Sequence, residues 1–437
     1  MKHRILLSNM MLTLVLLLSL VGTASADDEG PHPMNANPPP VDVPSGSAII
    51  SNGTVSLGVD SLGHVNFAGT GLLYLPTGGE VLWVGCFCEG WGAADAISGT
   101  QGWSSIHNGG IFNVALVSFT STASTATSVT TVGSILRVTH DYHPSPATQF
   151  LYEIDVTLDN ISGAPVDMRY TRDQDWDVPP SPFYEFVTIQ GTATEPTVLY
   201  ADNNGFQTPG PLFGRGSLGA VGDFVDFGPT DHGSLFDFGF GIVPAGGSVQ
   251  FKIFYGAAGN EANALGAIAA VGANVYSLGQ YSGDPTGGTP NTFIFAYRSP
   301  PSPVPVDIRP GSCPNPMNPK DKGVLPVAIA GTADLDVTQI DPATIRLEGV
   351  APLRWSYQDV ATPYEPYTGK ADPYQCTTAG WDGWLDLSLK FNNQAVVAAL
   401  GPVANGEVRV LTLTGNLKAE YSGRPIYGED VVIIRYR

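Results

Sequence analysis

The sequence predicts an all-β protein: a large β-sandwich with one packed helix, followed by a smaller C-terminal β-sandwich. Three observations lead there. Only 14% of residues are charged, while 52 Gly and 36 Pro supply frequent turns, a composition suited to many short strands. Apolar and polar residues alternate at period two in run after run, and one stretch alone repeats at helical spacing. A Pro-rich segment, residues 298–305 (RSPPSPVP), divides the chain into two regions of domain size.

The elements follow in order. Residues 1–26 read as a signal peptide, with Lys2, His3 and Arg4 before an apolar run and Ala24-Ser25-Ala26 as the cleavage site. Export is the expectation, and no later stretch is long and apolar enough to span a membrane. Residues 27–46, with Pro38-Pro39-Pro40, form an extended or disordered lead-in. The large domain is placed at 47–297. It opens with strands on either side of Asp60-Ser61-Leu62-Gly63, then a strand pair in 72–84 turning at Gly78-Gly79. Residues 85–110 read as a Gly- and Trp-rich loop, and 112–119 and 128–142 as strands.

Residues 152–180 read as a β-hairpin. Tyr152, Ile154, Val156 and Leu158 alternate with Glu153, Asp155, Thr157 and Asp159, and residues 160–165 supply the turn. Further strands are placed at 187–200, 224–227, 235–242, 248–257 and 293–297. Between the last two, residues 261–276 repeat apolar positions at helical spacing, with Asn260 as N-cap. Residues 298–305 are a semi-rigid linker. The second domain, 306–437, carries strands at 325–329, 344–347, 385–391, 408–413 and 431–436.

Charge is unevenly spread. Residues 27–305 hold 25 acidic and 6 basic side chains, against 15 and 12 in 306–437. This acidity excludes nucleic acid and anionic membrane surfaces as partners. On the returning strand of the expected hairpin, Asp173, Asp175 and Asp177 fall on one face, at steps of about 6.5–7 Å. Three readings stand. Hard carboxylate oxygens suit Ca²⁺. The spacing also approaches that of an inverting glycosidase pair, although such a pair must flank its substrate. The row is otherwise structural, paired with Arg169, Arg137 or Arg215.

In the second domain, Asp382-Gly-x-x-Asp386 resembles the tail of a calcium loop, or else a turn that Asp386 caps. His140 and His143 fall on opposite strand faces and make a poor chelate. Trp91, Trp103, Trp176 and Tyr184 would stack on sugar rings unless they lie in the core. Asn160-Ile161-Ser162 is a glycosylation sequon in a tight turn. Cys313 and Cys376 are expected to pair in an oxidising compartment. Cys86 and Cys88 then form either a small strained disulfide ring or two buried thiols.

Residues 48–67 (opening ISNGTVSLGVDSLGHV) and 136–170 resemble the β-supersandwich of the galactose-mutarotase-like class. Such a sandwich precedes a helical catalytic barrel in phosphorylase-type enzymes, and no such helical pattern occurs in this sequence. Residues 251–295 resemble exported bacterial proteins that end in a sorting anchor; the terminal VVIIRYR is not such a signal, so anchoring by that route is not expected. Residues 306–437 resemble an accessory module of secreted bacterial and archaeal multidomain proteins. VDIRPG at 306–311, GVLPVAI at 323–329, IDPAT at 340–344 and DGWLDL at 382–387 carry that likeness. Together these readings predict an exported, non-catalytic binding or structural protein whose partner is a glycan or cell-surface component. The alternative is a carbohydrate-active protein using the Asp173–Asp177 row.

Overall fold

A computed structural model of the protein describes residues 46–421 and 423–436. The expected signal peptide and nearly all of the lead-in lie outside the described residues. Strands make up 48% of the structure and helix 6%, so the all-β sandwich expectation holds.

The large region is built on two main antiparallel sheets. The nine-stranded sheet runs Phe224–Thr230, Glu185–Gln190, Val275–Tyr281, Thr292–Arg298, Ser248–Ala258, Leu151–Asn160, Leu136–Pro144, Ala126–Val132 and Val114–Ser121. The six-stranded sheet runs Val198–Asp202, Gly233–Val243, Val166–Asp175, Glu89–Asp95, Thr100–Ser105 and Ile111–Phe112. Their inner faces share one apolar core, in which Phe238 stacks on Tyr297 at 4.2 Å and Phe236 on Phe295 at 5.1 Å. A smaller sheet begins with Ala48–Ser51 and Val55–Val59.

The expected hairpin at 152–180 is not one. Leu151–Asn160 pairs with Leu136–Pro144 and Ser248–Ala258, whereas Val166–Asp175 pairs with Gly233–Val243 and Glu89–Asp95. The turn therefore arches from one sheet to the other. Asn160 pins that arch, its Nδ2 donating to Ala164 O at 2.8 Å and to Val243 O and Pro244 O at 3.0 Å. Alternation places an apolar face; it does not choose between a hairpin and an arch.

The Gly- and Trp-rich stretch is also not a loop throughout. It holds the strands Glu89–Asp95 and Thr100–Ser105. Glycine is required within the first, because a Cβ on Gly92 would lie 2.0 Å from Pro209 O. The helix spans Glu261–Val271, shorter than expected. The Asn260 side chain caps Asn263 N, and Gly272 ends the helix in the left-handed conformation at φ 63°. Ala264, Ala267, Ile268 and Val271 pack on Phe254, Leu278 and Ile294 of the nine-stranded sheet.

The second region has its own core, with Ile308, Val327, Leu389 and Phe391 packed against Ile345, Leu411, Leu413 and Val432. Residues 298–305 are not simply a spacer. Ser302–Pro303 pairs in parallel with Pro425–Ile434, and Val304 N donates to Tyr427 O at 2.8 Å. A second helix, Asn393–Leu400, capped by Asn392, was not expected from the sequence. Both cysteine pairs are disulfides, Cys86–Cys88 and Cys313–Cys376.

A buried carboxylate cluster as candidate functional site

Two faces of the strand Val166–Asp175 carry polar chemistry. Tyr170, Arg172 and Gln174 point into the sandwich. There the Arg172 guanidinium, with no exposed surface, pairs with Glu89. It also donates to Tyr255 Oη at 3.2 Å and to Gly63 O at 3.3 Å. The Gly63 carbonyl is also bonded by Tyr142 Oη at 2.8 Å, and Leu62 O by Trp91 Nε1 at 2.8 Å. The turn read at 60–63 is thus drawn into the core, where polar side chains satisfy its backbone.

Thr171, Asp173 and Asp175 point the other way, and Asp177 follows just past the strand end. This face is not solvated. Asp173, Asp175 and Asp177 are 0%, 4% and 1% exposed. Asp173 accepts from Asn108, which also donates to Gly205 O at 2.8 Å, so the segment after Asp202 helps to cover this face. Burial holds the Asp173 carboxyl well above the usual range, partly opposed by Asn108, Arg215 and Arg172.

Asp175 and Asp177 belong together, and Asp231 joins them. One carboxylate oxygen from each lies within 4.8 Å of the others. Neither Asp177 oxygen has a hydrogen-bond partner; the Phe183 amide offsets part of its pKa rise without reaching hydrogen-bond geometry. Burial first, and then Asp231, push Asp177 up to about 8. Burial, then Asp177 and Asp231, push Asp175 well above its usual value. Glu185, fully buried, accepts from His232 N at 3.0 Å through Oε1, while Oε2 has no partner. Burial raises it to about 10, with Asp177 and Asp231 adding to the rise. The leading charged neighbours of Asp175, Asp177 and Glu185 are all acidic.

The basic residues expected to neutralise the row are engaged elsewhere. Arg169 pairs with Asp167, Arg137 with Asp159, and Arg215 with Asp237 and Thr171. A register shift between Met168 and Arg169 accompanies that local pairing. Asp173 is set apart by Asn108 and stays outside the trio.

The other expected site residues are dispersed. Trp91 and Trp176 have no exposed surface, Trp176 donating to Ser277 Oγ at 3.0 Å, so neither ring meets an external sugar. Trp103 is 8% exposed, stacked on Phe112 and bonded to Gly109 O. Tyr184 is 65% exposed. Asp386 is buried and accepts from Gly331, Val360 and Ala361 N–H at 2.7–2.9 Å, which is the turn-capping role. Asp382 is exposed and accepts from Trp384 N. The two acids accept hydrogen bonds in separate turns. His140 is buried against Tyr170, while His143 faces Asp155, on the opposite faces expected.

Sequence reasoning missed Asp231 and Glu185, which no local spacing links to Asp175. It also missed Gly85, where a Cβ would lie 2.6 Å from Asp177 Oδ2. Three carboxylates with an oxygen each within 4.8 Å of the others, two of them buried among acidic neighbours, have the donor chemistry of a hard divalent ion. No protein-family model matches the chain, and no curated protein matches it.

Proposed function

We propose that the protein is an exported, non-catalytic binding or structural component whose large sandwich takes up a divalent cation, Ca²⁺ by ligand type. Asp175, Asp177 and Asp231 are the ligands and Glu185 flanks them. The carrying observation is Asp177: a carboxylate 1% exposed, both oxygens unpartnered, facing other acids. Leaving such a group buried is costly, and a cation relieves it. Export is supported by the composition of residues 1–26 and by the pairing of all four cysteines.

The hydrolase alternative lacks support from geometry, because Asp175 and Asp177 approach one another from a single chain segment instead of flanking a bond. Of the four rings expected to bind a glycan, only Tyr184 is well exposed.

Isothermal titration of the full chain with Ca²⁺ tests the proposal. One binding event per chain is expected, lost in Asp177→Asn and retained in Asp382→Asn. An absence of binding heat together with unchanged melting in chelator rejects it.

A further inference from the structure

The wall of the carboxylate cluster is built by the Cys86–Cys88 loop. Cys86 Sγ lies 3.4 Å from Asp175 Oδ2. Cys88 O accepts from Asp175 N at 2.8 Å. Gly85, at φ +66°, passes so near Asp177 that a Cβ would meet its Oδ2 at 2.6 Å. One four-residue loop thus touches two of the proposed ligands through both backbone and sulfur. Access is unequal: Cys86 is half-buried beside exposed Gly85, while Cys88 is 5% exposed.

We propose, resting on the cation reading above, that the redox state of Cys86 and Cys88 selects the class of cation this site accepts. With the disulfide closed, the ligand atoms offered are carboxylate oxygens, which favour a hard ion such as Ca²⁺. With it open, the Cys86 thiolate lies beside Asp175, and a mixed sulfur–oxygen set favours a thiophilic ion such as Zn²⁺. Opening requires an external dithiol. Its thiolate attacks the sulfur of Cys86, the less buried of the two cysteines, forming a mixed disulfide as the Cys86–Cys88 bond breaks. Cys88 leaves as a thiolate and takes a proton. The second thiol of the reductant then displaces Cys86, closing the reductant's own disulfide. Two electrons pass to the protein, which ends with two thiols, and the incoming metal ion displaces the Cys86 proton.

The test uses the full chain, oxidised and then reduced with dithiothreitol that is removed anaerobically, with Ca²⁺, Zn²⁺ and Co²⁺ as probes. The oxidised chain should bind Ca²⁺ and give no thiolate-to-Co²⁺ charge-transfer band. The reduced chain should show that band, prefer Zn²⁺ over its oxidised form by at least about tenfold, and bind Ca²⁺ more weakly. The band should vanish in Cys86→Ser and in Asp175→Asn but persist in Cys313→Ser/Cys376→Ser. A reduced chain without the band, a band that survives Cys86→Ser, or equal Ca²⁺ affinity in both states overturns redox selection. Failure of the oxidised chain to bind Ca²⁺ overturns the underlying cation reading instead.

Discussion

Two acidic groups in the large sandwich have similar composition and opposite solutions. His143, Glu153 and Asp155 gather on the outer face of the nine-stranded sheet. Lys252 sits directly across from Asp155 in the neighbouring strand and ion-pairs with both Glu153 and Asp155. Asp175, Asp177 and Asp231 gather under a disulfide loop, where the leading charged neighbours of Asp175 and Asp177 are acidic. Lys252 is the only lysine in residues 27–305. Arg137, Arg169, Arg172 and Arg215 pair with Asp159, Asp167, Glu89 and Asp237 respectively. Among the described residues, Lys252 is an internal counterion for Glu153 and Asp155, whereas both Asp177 oxygens lie buried without a hydrogen-bond partner. That contrast is why an external cation is assigned to the second group.

The comparison can be broken in graded ways. The largest effect is expected where an internal counterion is itself buried. Arg172→Met strands Glu89 in the core and should cost about 3–5 kcal/mol in urea unfolding. A loss below about 1 kcal/mol would mean that the region does not depend on matched charge.

Next comes a buried acid of the second sandwich. Asp307 is 8% exposed, has no partner on either oxygen, and is pushed up to about 7 by burial and then by Asp430, against Lys370. Its folded pKa lies above its unfolded one, so the folded state holds a proton that the unfolded chain releases above about pH 4. Stability should therefore fall as pH rises from about 4 to about 7, then level off. Asp307→Asn should remove that segment of the pH profile and stabilise the chain at pH 8 by roughly 2–4 kcal/mol. An unchanged profile would contradict it.

The cation should stabilise the wild-type chain by about 2.7 kcal/mol at a hundredfold excess over Kd. Chemical denaturation of Asp177→Asn in the same buffers should show no gain from Ca²⁺. The smallest effect is expected at the group around Lys252. Lys252→Met should cost only about 0.5–1 kcal/mol, since the Lys252 and Asp155 side chains keep 34% and 45% of their surface exposed. It should also create a new calcium response at Glu153 and Asp155, visible as a second binding event. If no second event appears, the lysine is not acting as that group's cation.

The sequence revealed what local patterns encode. The strands Leu136–Pro144 and Leu151–Asn160 show in their alternation, and Asn260 marks the helix start. Cys313 and Cys376 pair as their placement suggests. Strand partners were not legible, because Leu151–Asn160 and Val166–Asp175 look alike whether they pair with each other or with distant strands. The strand Glu89–Asp95 was hidden by its glycines, which make sense only once Pro209 lies against them. The same limit applies to the site. Asp175 and Asp177 stood out by spacing, but their burial depends on covering segments far along the chain, and Asp231 and Glu185 reach them only through the fold. Trp91 and Trp176 were legible as large rings and not as core, because exposure is a property of the whole sandwich.

The most direct measurement is an anomalous difference map from crystals of the full chain grown with Tb³⁺ in place of Ca²⁺. The account predicts one strong peak within coordination distance, about 2.3–2.6 Å, of carboxylate oxygens of Asp175 and Asp177. No peak there, or a peak only beside Glu153 and Asp155, would contradict it.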